Sequence, residues 1–116
     1  MRFDPSPLLP LTPASFQILV ALADGEKHGY AIMKEVARRT DGKVRLRAAT
    51  LYSALRRLVA DGFVAESAER PDPALDDERR RYYRLTRRGR AVAVAEADRM
   101  TETVRQARAK LRTSPA

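Results

Sequence analysis

The last third of the sequence carries an apolar repeat that a single small domain has difficulty burying. After residue 92 apolar residues recur at alternating steps of four and three, the spacing of one helix face in a coiled coil. The members of this apolar stripe are Ala93, Ala97, Met100, Val104, Ala107 and Leu111. A chain of 116 residues has room for one modest core. We therefore expect a helix from a second copy of the chain to cover the stripe, which would make the protein a homodimer. The alternative is that the stripe packs back onto its own domain.

Proline and glycine divide the preceding residues into short elements. Three prolines in the first ten residues predict an irregular arm over residues 1–11. Thr12 and Pro13 form a typical helix start, and Gly25 is expected to end that first helix as a left-handed cap. Its expected apolar face consists of Phe16, Leu19, Val20 and Ala23. Two further helices are predicted over about 29–40 and 48–61, followed by glycines at positions 42 and 62.

Two β-prone runs follow, at residues 63–67 and 81–85, and a proline-containing acidic segment joins them as a predicted hairpin tip. Thr86 is a good N-cap for a last helix over residues 87–112, which leaves a tail at 113–116. The predicted fold is mainly α with a small β-hairpin. It is a winged helix-turn-helix over residues 12–86, plus a long C-terminal dimerisation helix.

The net charge of +8 is concentrated in two segments. Residues 43–57 contain five basic side chains and residues 79–90 contain seven, and neither segment has an acid. The remainder of the chain is net negative. Nearly all of these cations are arginines, which make forked contacts with phosphate and guanine. Two basic elements around one helix favour nucleic acid as the partner, whereas a pair of solvated surface faces is the alternative.

The third predicted helix has a small, polar and basic face opposite its leucines. Ser53 and Arg56 lie on that face and are expected to read bases, whereas Arg57 is expected to contact the backbone. Tyr52 either offers its hydroxyl to a phosphate or packs beneath the hairpin. The expected DNA-binding residues are Arg45, Arg47, Thr50, Tyr52, Ser53, Arg56, Arg57, Arg79, Arg80, Arg81 and Arg84.

The residue types that other chemistries require are scarce. The chain has no cysteine, which excludes disulfides, thiolate metal sites and a Cys nucleophile, and its single histidine excludes a His-rich metal site. Asp76, Asp77 and Glu78 are interpreted as a solvated hairpin tip. We expect no metal, no cofactor and no enzymatic activity. Without a long apolar run or a signal-peptide pattern, a cytoplasmic protein with no membrane partner is expected.

Three runs resemble the PadR family of bacterial transcriptional regulators, namely His28–Ile32, Thr50–Leu58 and Arg81–Gly89. The resemblance extends from about Leu11 to Met100. It implies a homodimeric winged-helix DNA-binding protein, usually a repressor, in which the C-terminal helix carries dimerisation. A single such helix is typical of the shorter subtype. In this sequence, the third helix starts after an arginine and two alanines, which supply no good N-cap.

The expected function is therefore a sequence-specific transcriptional regulator, a homodimeric repressor of a pseudo-palindromic double-stranded operator. The third helix enters the major groove and the arginine-rich wing contacts the backbone. A small-molecule effector is possible for such a protein, and its identity is not set by the residues. The alternative function is a winged-helix module that binds RNA or another protein. His28 is interpreted as a structural residue at the start of the second helix.

Overall fold

The computed structural model describes residues 2–67 and 81–113, which form a winged helix-turn-helix with a long final helix. A short 3-10 turn at Ser6–Leu8 precedes the main elements. These elements are α1 (Pro13–Ala21), β1 (Lys27–His28), α2 (Gly29–Arg39), α3 (Ala48–Ala60), β2 (Val64–Ser67), β3 (Tyr82–Leu85) and α4 (Arg87–Arg112). The mainly helical fold class is confirmed, and α4 has the bounds that its cap and apolar spacing predicted.

The sheet contains a strand that the sequence did not reveal. Its order is β1-β3-β2 and both pairings are antiparallel, with Lys27 opposite Tyr83 and Val64 opposite Leu85. A strand of two residues is too short to show an alternating pattern, so only its pairing with β3 identifies it. The strand leads directly into α2, where His28 Nδ1 accepts a hydrogen bond from the Ala31 N–H at 3.2 Å. His28 therefore caps α2, in agreement with its predicted structural role.

Helix α1 differs from its prediction in its end and in its buried face. It ends at Ala21, and Gly25 lies in the following turn with φ of 147° instead of forming a left-handed cap. Ile18 and Leu22 are almost fully buried, whereas Ala23 is exposed. The prediction was wrong because nearly every α1 residue is apolar, so the spacing does not distinguish one face. Contacts with α2, α3 and α4 select the face instead.

The core lies between the three short helices, the sheet and the first turns of α4. Its best-buried apolar side chains are Ile18, Leu19, Leu22, Ile32, Val36, Leu51, Leu55 and Val92. Phe3, Leu9 and Leu11 of the arm pack against this core. The arm predicted to be irregular thus contains a helical turn and contributes to the packing.

The second half of α4 leaves the domain. Residues 101–112 are all exposed, and Val104 and Leu111 retain 48% and 80% of their accessible surface. The radius of gyration is 16.5 Å, compared with about 13 Å for a compact domain of roughly 100 residues. The molecule therefore extends an apolar helix face well beyond its own core. No helix among residues 2–67 and 81–113 has the length and apolar character needed to cross a membrane.

A buried carboxylate joins α4 to the N-terminal arm. Glu96 is 2% exposed, and its Oε2 accepts a hydrogen bond from the Leu11 N–H at 2.9 Å. Its Oε1 is paired with the Arg99 guanidinium. The hydrogen bond from Arg99, and then the one from Leu11, lower the pKa of Glu96 below its ordinary value of 4.5. The ionised form of Glu96 therefore stabilises the attachment of the arm.

We expect Glu96→Gln to weaken the fold at neutral pH and to reduce its sensitivity to acid. A carboxyl group whose pKa is lower in the folded state stabilises the fold at pH values above its unfolded-state pKa, here 4.5. That stabilisation is lost as the pH falls through the folded-state pKa. Urea denaturation should show that the variant has a much lower free energy of unfolding than the parent at pH 7. This difference should become smaller at about pH 3. Glu102→Gln is the control, because Glu102 pairs with Arg105 on an exposed surface. A gap of equal size at both pH values would contradict this role.

Candidate nucleic-acid interface

Helix α3 presents two chemically different faces. Leu51, Leu55 and Leu58 are buried in the core. The opposite face is exposed and carries Ala49, Ser53, Arg56 and Ala60, and Thr50 and Arg57 lie exposed along its edge. Arg47 occupies the N-cap position without a side-chain hydrogen bond, which confirms the poor cap expected from the sequence. The exposed face combines small residues, which allow close approach to a surface, with hydroxyl and guanidinium donors.

A groove runs along one side of this face and includes residues that the sequence did not suggest. Thr50, Ser53 and Arg57 line it from α3, together with Thr12 and Ala14 from the start of α1. Its volume is about 450 Å³. The start of α1 is far away in the sequence, so only the packing of α1 on α3 brings it here. Arg57 lines this groove, whereas Arg56, its neighbour on the same helix, does not.

Tyr52 has a packing role that differs from the one expected beneath the hairpin. It is half-buried, and its ring lies against Gly29 at the start of α2. A Cβ atom on Gly29 would lie 2.4 Å from the Tyr52 hydroxyl oxygen. Glycine at position 29 therefore allows this tyrosine to join α3 to α2. The tyrosine sets how the two helices of the helix-turn-helix pack.

Basic residues flank α3 on the preceding loop and on the wing. Arg45 and Arg47 are exposed before α3, and the Arg45 guanidinium lies over Gly42. On β3, Arg84 is exposed, whereas its neighbour Tyr83 is 3% exposed and faces the core. Arg81 Nη1 lies 3.4 Å from Glu66 Oε2 across the sheet.

Some predicted positions lie outside the described residues. These are Arg79 and Arg80, the hairpin tip with the acids at 76–78, and the end of the tail at 114–116. Within the described ranges, no group of three or more His, Cys, Asp or Glu side chains has the arrangement needed to hold a metal ion.

The apolar stripe of α4 changes its surroundings along the helix. Ala93 is half-buried against the core of its own chain, and Met100 lines a cavity of about 280 Å³ with Phe16 of α1. The remaining members of the stripe are exposed, namely Ala97, Val104, Ala107 and Leu111. Glu96 lies near the stripe and was missed, although its spacing of four residues from both Val92 and Met100 placed it on a largely apolar surface.

Comparison with known proteins identifies the family. The sequence profile described as the transcriptional regulator PadR-like family matches residues 18–95, more than half of the chain. This chain belongs to the PadR-like family of transcriptional regulators. A protein of Lysinibacillus sphaericus with no characterised function is 30% identical over 78 residues, which covers 64% of this chain and 65% of that protein. The match therefore spans slightly less than two thirds of that relative's length.

Solved structures carry the same fold. A transcriptional regulator from Clostridium thermocellum has a TM-score of 0.69 at 27% identity, with 82% of this chain and 86% of that chain covered. Bordetella bronchiseptica BpsR, whose DNA binding is regulated by 6-hydroxynicotinic acid, has a TM-score of 0.58 at 32% identity. That comparison covers 80% of this chain and 64% of BpsR. Bacillus subtilis PadR, solved with operator DNA, shares the fold with a TM-score of 0.62 at 22% identity, over 78% of this chain and 48% of PadR.

Proposed function

We propose that this protein is a homodimeric repressor that binds a specific double-stranded DNA operator. The observation that carries the proposal is the exposed face of α3, on which Ser53 and Arg56 project between small residues. An exposed helix of this kind fits the major groove, where an arginine donates two hydrogen bonds to one guanine. The family to which the chain belongs consists of transcriptional regulators, so the protein is expected to act on DNA in the cytoplasm.

The basic residues around α3 supply the contacts that hold the helix in register. Arg57, in the groove beside α1, is expected to contact a phosphate, as are Arg45 and Arg47 before the helix. Arg81 and Arg84 of the wing are expected to lie along the neighbouring backbone, and Arg79 and Arg80 are expected to join them. Such contacts set affinity and orientation, whereas the exposed face of α3 sets the sequence that is read.

Two copies of the chain are needed for a pseudo-palindromic site. Pairing of the apolar stripe on α4 with its copy removes Val104 and Leu111 from water. It also places two α3 helices to read half-sites about one turn of DNA apart, roughly 34–36 Å. An effector that favours a different spacing of these helices relieves repression. The related BpsR shows that DNA binding by a similar protein is regulated by a small molecule.

Binding measurements at several salt concentrations test the proposed function. The protein is mixed with the DNA upstream of its own gene, with a random duplex of equal length and with structured RNA. If a dimer makes about 6–10 phosphate contacts, log K falls with log salt at a slope of roughly −5 to −9. The upstream DNA should bind at least about tenfold more tightly than the other two ligands. Equal affinities would favour the RNA-binding or protein-interaction alternative.

Substitution of the two neighbouring arginines on α3 should separate base reading from backbone binding. Arg56→Ala is expected to cost about 1–3 kcal/mol on the specific site and to relax the preference at one base pair. Arg57→Ala is the matched control, because it removes the same group from the groove beside α1 and should weaken specific and random DNA alike. Competition binding against random DNA and against operators with single base changes measures both the loss of affinity and the change in base preference. Equal losses for Arg56→Ala on both duplexes would contradict a base-reading role.

A further inference from the structure

A basic cavity lies where the arm meets the beginning of α4, and its lining contains none of the residues assigned above to DNA binding or to the apolar stripe. Arg2 and Phe3 line it from the arm, and Arg87, Arg88 and Ala91 line it from α4. Its volume is about 460 Å³, within the usual range for small-molecule sites, roughly 300–1,000 Å³. Three arginines thus line one cavity whose lining contains no carboxylate.

The arginines at this cavity have no acidic partner among the described residues, unlike several arginines on helices. Arg99 and Arg105 each pair with a glutamate one turn away. By contrast, Arg2, Arg87 and Arg88 form no ion pair with any residue in the described ranges. Three uncompensated cations near one another repel, so their arrangement favours an anion between them.

The arm holds one of these groups in place. The Arg88 guanidinium carbon lies 5.1 Å from the centre of the Phe3 ring, a cation–π contact. Phe3 in turn packs on Phe63, with ring centres 6.3 Å apart. Because Phe63 belongs to the core, the Phe3 ring is a fixed wall of the cavity. A bound anion would therefore meet an ordered guanidinium and an apolar surface together.

We propose that this cavity binds the phosphate group of a small soluble anion. Planar guanidinium groups match phosphate oxygens with paired hydrogen bonds, and Phe3 and Ala91 offer an apolar wall to the rest of the ligand. The cavity lies near Phe63, beyond the C-terminal end of α3. The proposal does not depend on DNA binding, and a measurement on the duplex, given below, distinguishes a free phosphate compound from the DNA backbone.

A titration of the isotope-labelled full-length protein with sodium pyrophosphate, at constant pH and ionic strength, tests the proposal. The amide NMR signals of Phe3, Arg87, Arg88 and Ala91 should shift and reach saturation. The double variant R87Q/R88Q should bind about tenfold more weakly or worse. The control R108Q/R112Q removes the same charge from the exposed end of α4 and should bind like the parent. Shifts that never saturate, or equal losses in both variants, would overturn the proposal.

A second measurement distinguishes the source of the phosphate. The same two double variants are tested for binding to the specific duplex. If R87Q/R88Q binds this DNA as R108Q/R112Q does, the cavity serves a free anion. A loss of DNA affinity confined to R87Q/R88Q would overturn the assignment to a small molecule and make the cavity a DNA backbone contact. Failure of the parent protein to bind any DNA would refute the proposed function without affecting the pyrophosphate result.

Discussion

Gly89→Ala is expected to destabilise the protein by about 3 kcal/mol, although alanine is the better helix former. A Cβ atom at position 89 would lie 2.0 Å from the Phe63 carbonyl oxygen and 2.9 Å from Leu85 Cδ1. The carbonyl is held in place, because it accepts a hydrogen bond from the Thr86 N–H at 3.1 Å. The Thr86 hydroxyl also donates a hydrogen bond to the Gly62 carbonyl oxygen at 2.7 Å. Alanine can therefore be accommodated only by moving α4 away from the sheet.

Urea denaturation of Gly89→Ala and Gly25→Ala separates this clash from the general effect of replacing a glycine. Gly25 has φ of 147° and no atom within 4 Å of the added Cβ position, so its substitution costs only backbone strain. We expect a loss of about 1–2 kcal/mol for Gly25→Ala, clearly smaller than that for Gly89→Ala. If helix propensity alone decided the outcome, Gly89→Ala would instead stabilise the protein by about 1 kcal/mol. That result would refute the close approach of α4 to the sheet.

Val104→Asp is expected to convert the proposed dimer to monomers and to reduce operator affinity by roughly 10²–10⁴-fold. Val104 is 48% exposed in the single chain and lies in the middle of the exposed part of the apolar stripe. A carboxylate at that position would be buried against an apolar partner helix without a compensating charge. Loss of the dimer would leave each α3 to bind its half-site alone. Sedimentation and DNA binding at the same protein concentrations measure both effects.

Gln106→Asp is the matched control for the dimer. It adds the same charge to α4 two residues further on, about 200° around the helix from Val104. Gln106 is exposed and bonds only Glu102 of its own helix among the described contacts. We expect this variant to remain dimeric and to keep most of its operator affinity. A dimer that survives Val104→Asp would refute the assignment of the apolar stripe to an interface between copies.

Local signals were enough to predict the elements that carry the proposed function. Thr86 caps α4, and its side chain accepts a hydrogen bond from the Gly89 N–H at 3.0 Å, as that residue type at that position predicted. The separation of leucines from Ser53 and Arg56 on α3 was also predictable, because both classes of residue follow the helical period. Where most residues are apolar, as in α1, the same rule identified Leu19 but missed Ile18 and Leu22.

The sequence by itself determined the type of each main element and which face of α3 is exposed, because these follow from residues less than about three turns apart. It also determined the family, through three runs in a fixed order along the chain. Only the tertiary structure decided which residues from distant segments meet. Leu11 and Glu96 are 85 positions apart, Thr12 joins the groove of Ser53 and Arg57, and the arm meets α4 at the basic cavity. Such contacts depend on how whole elements pack, and no local spacing records them.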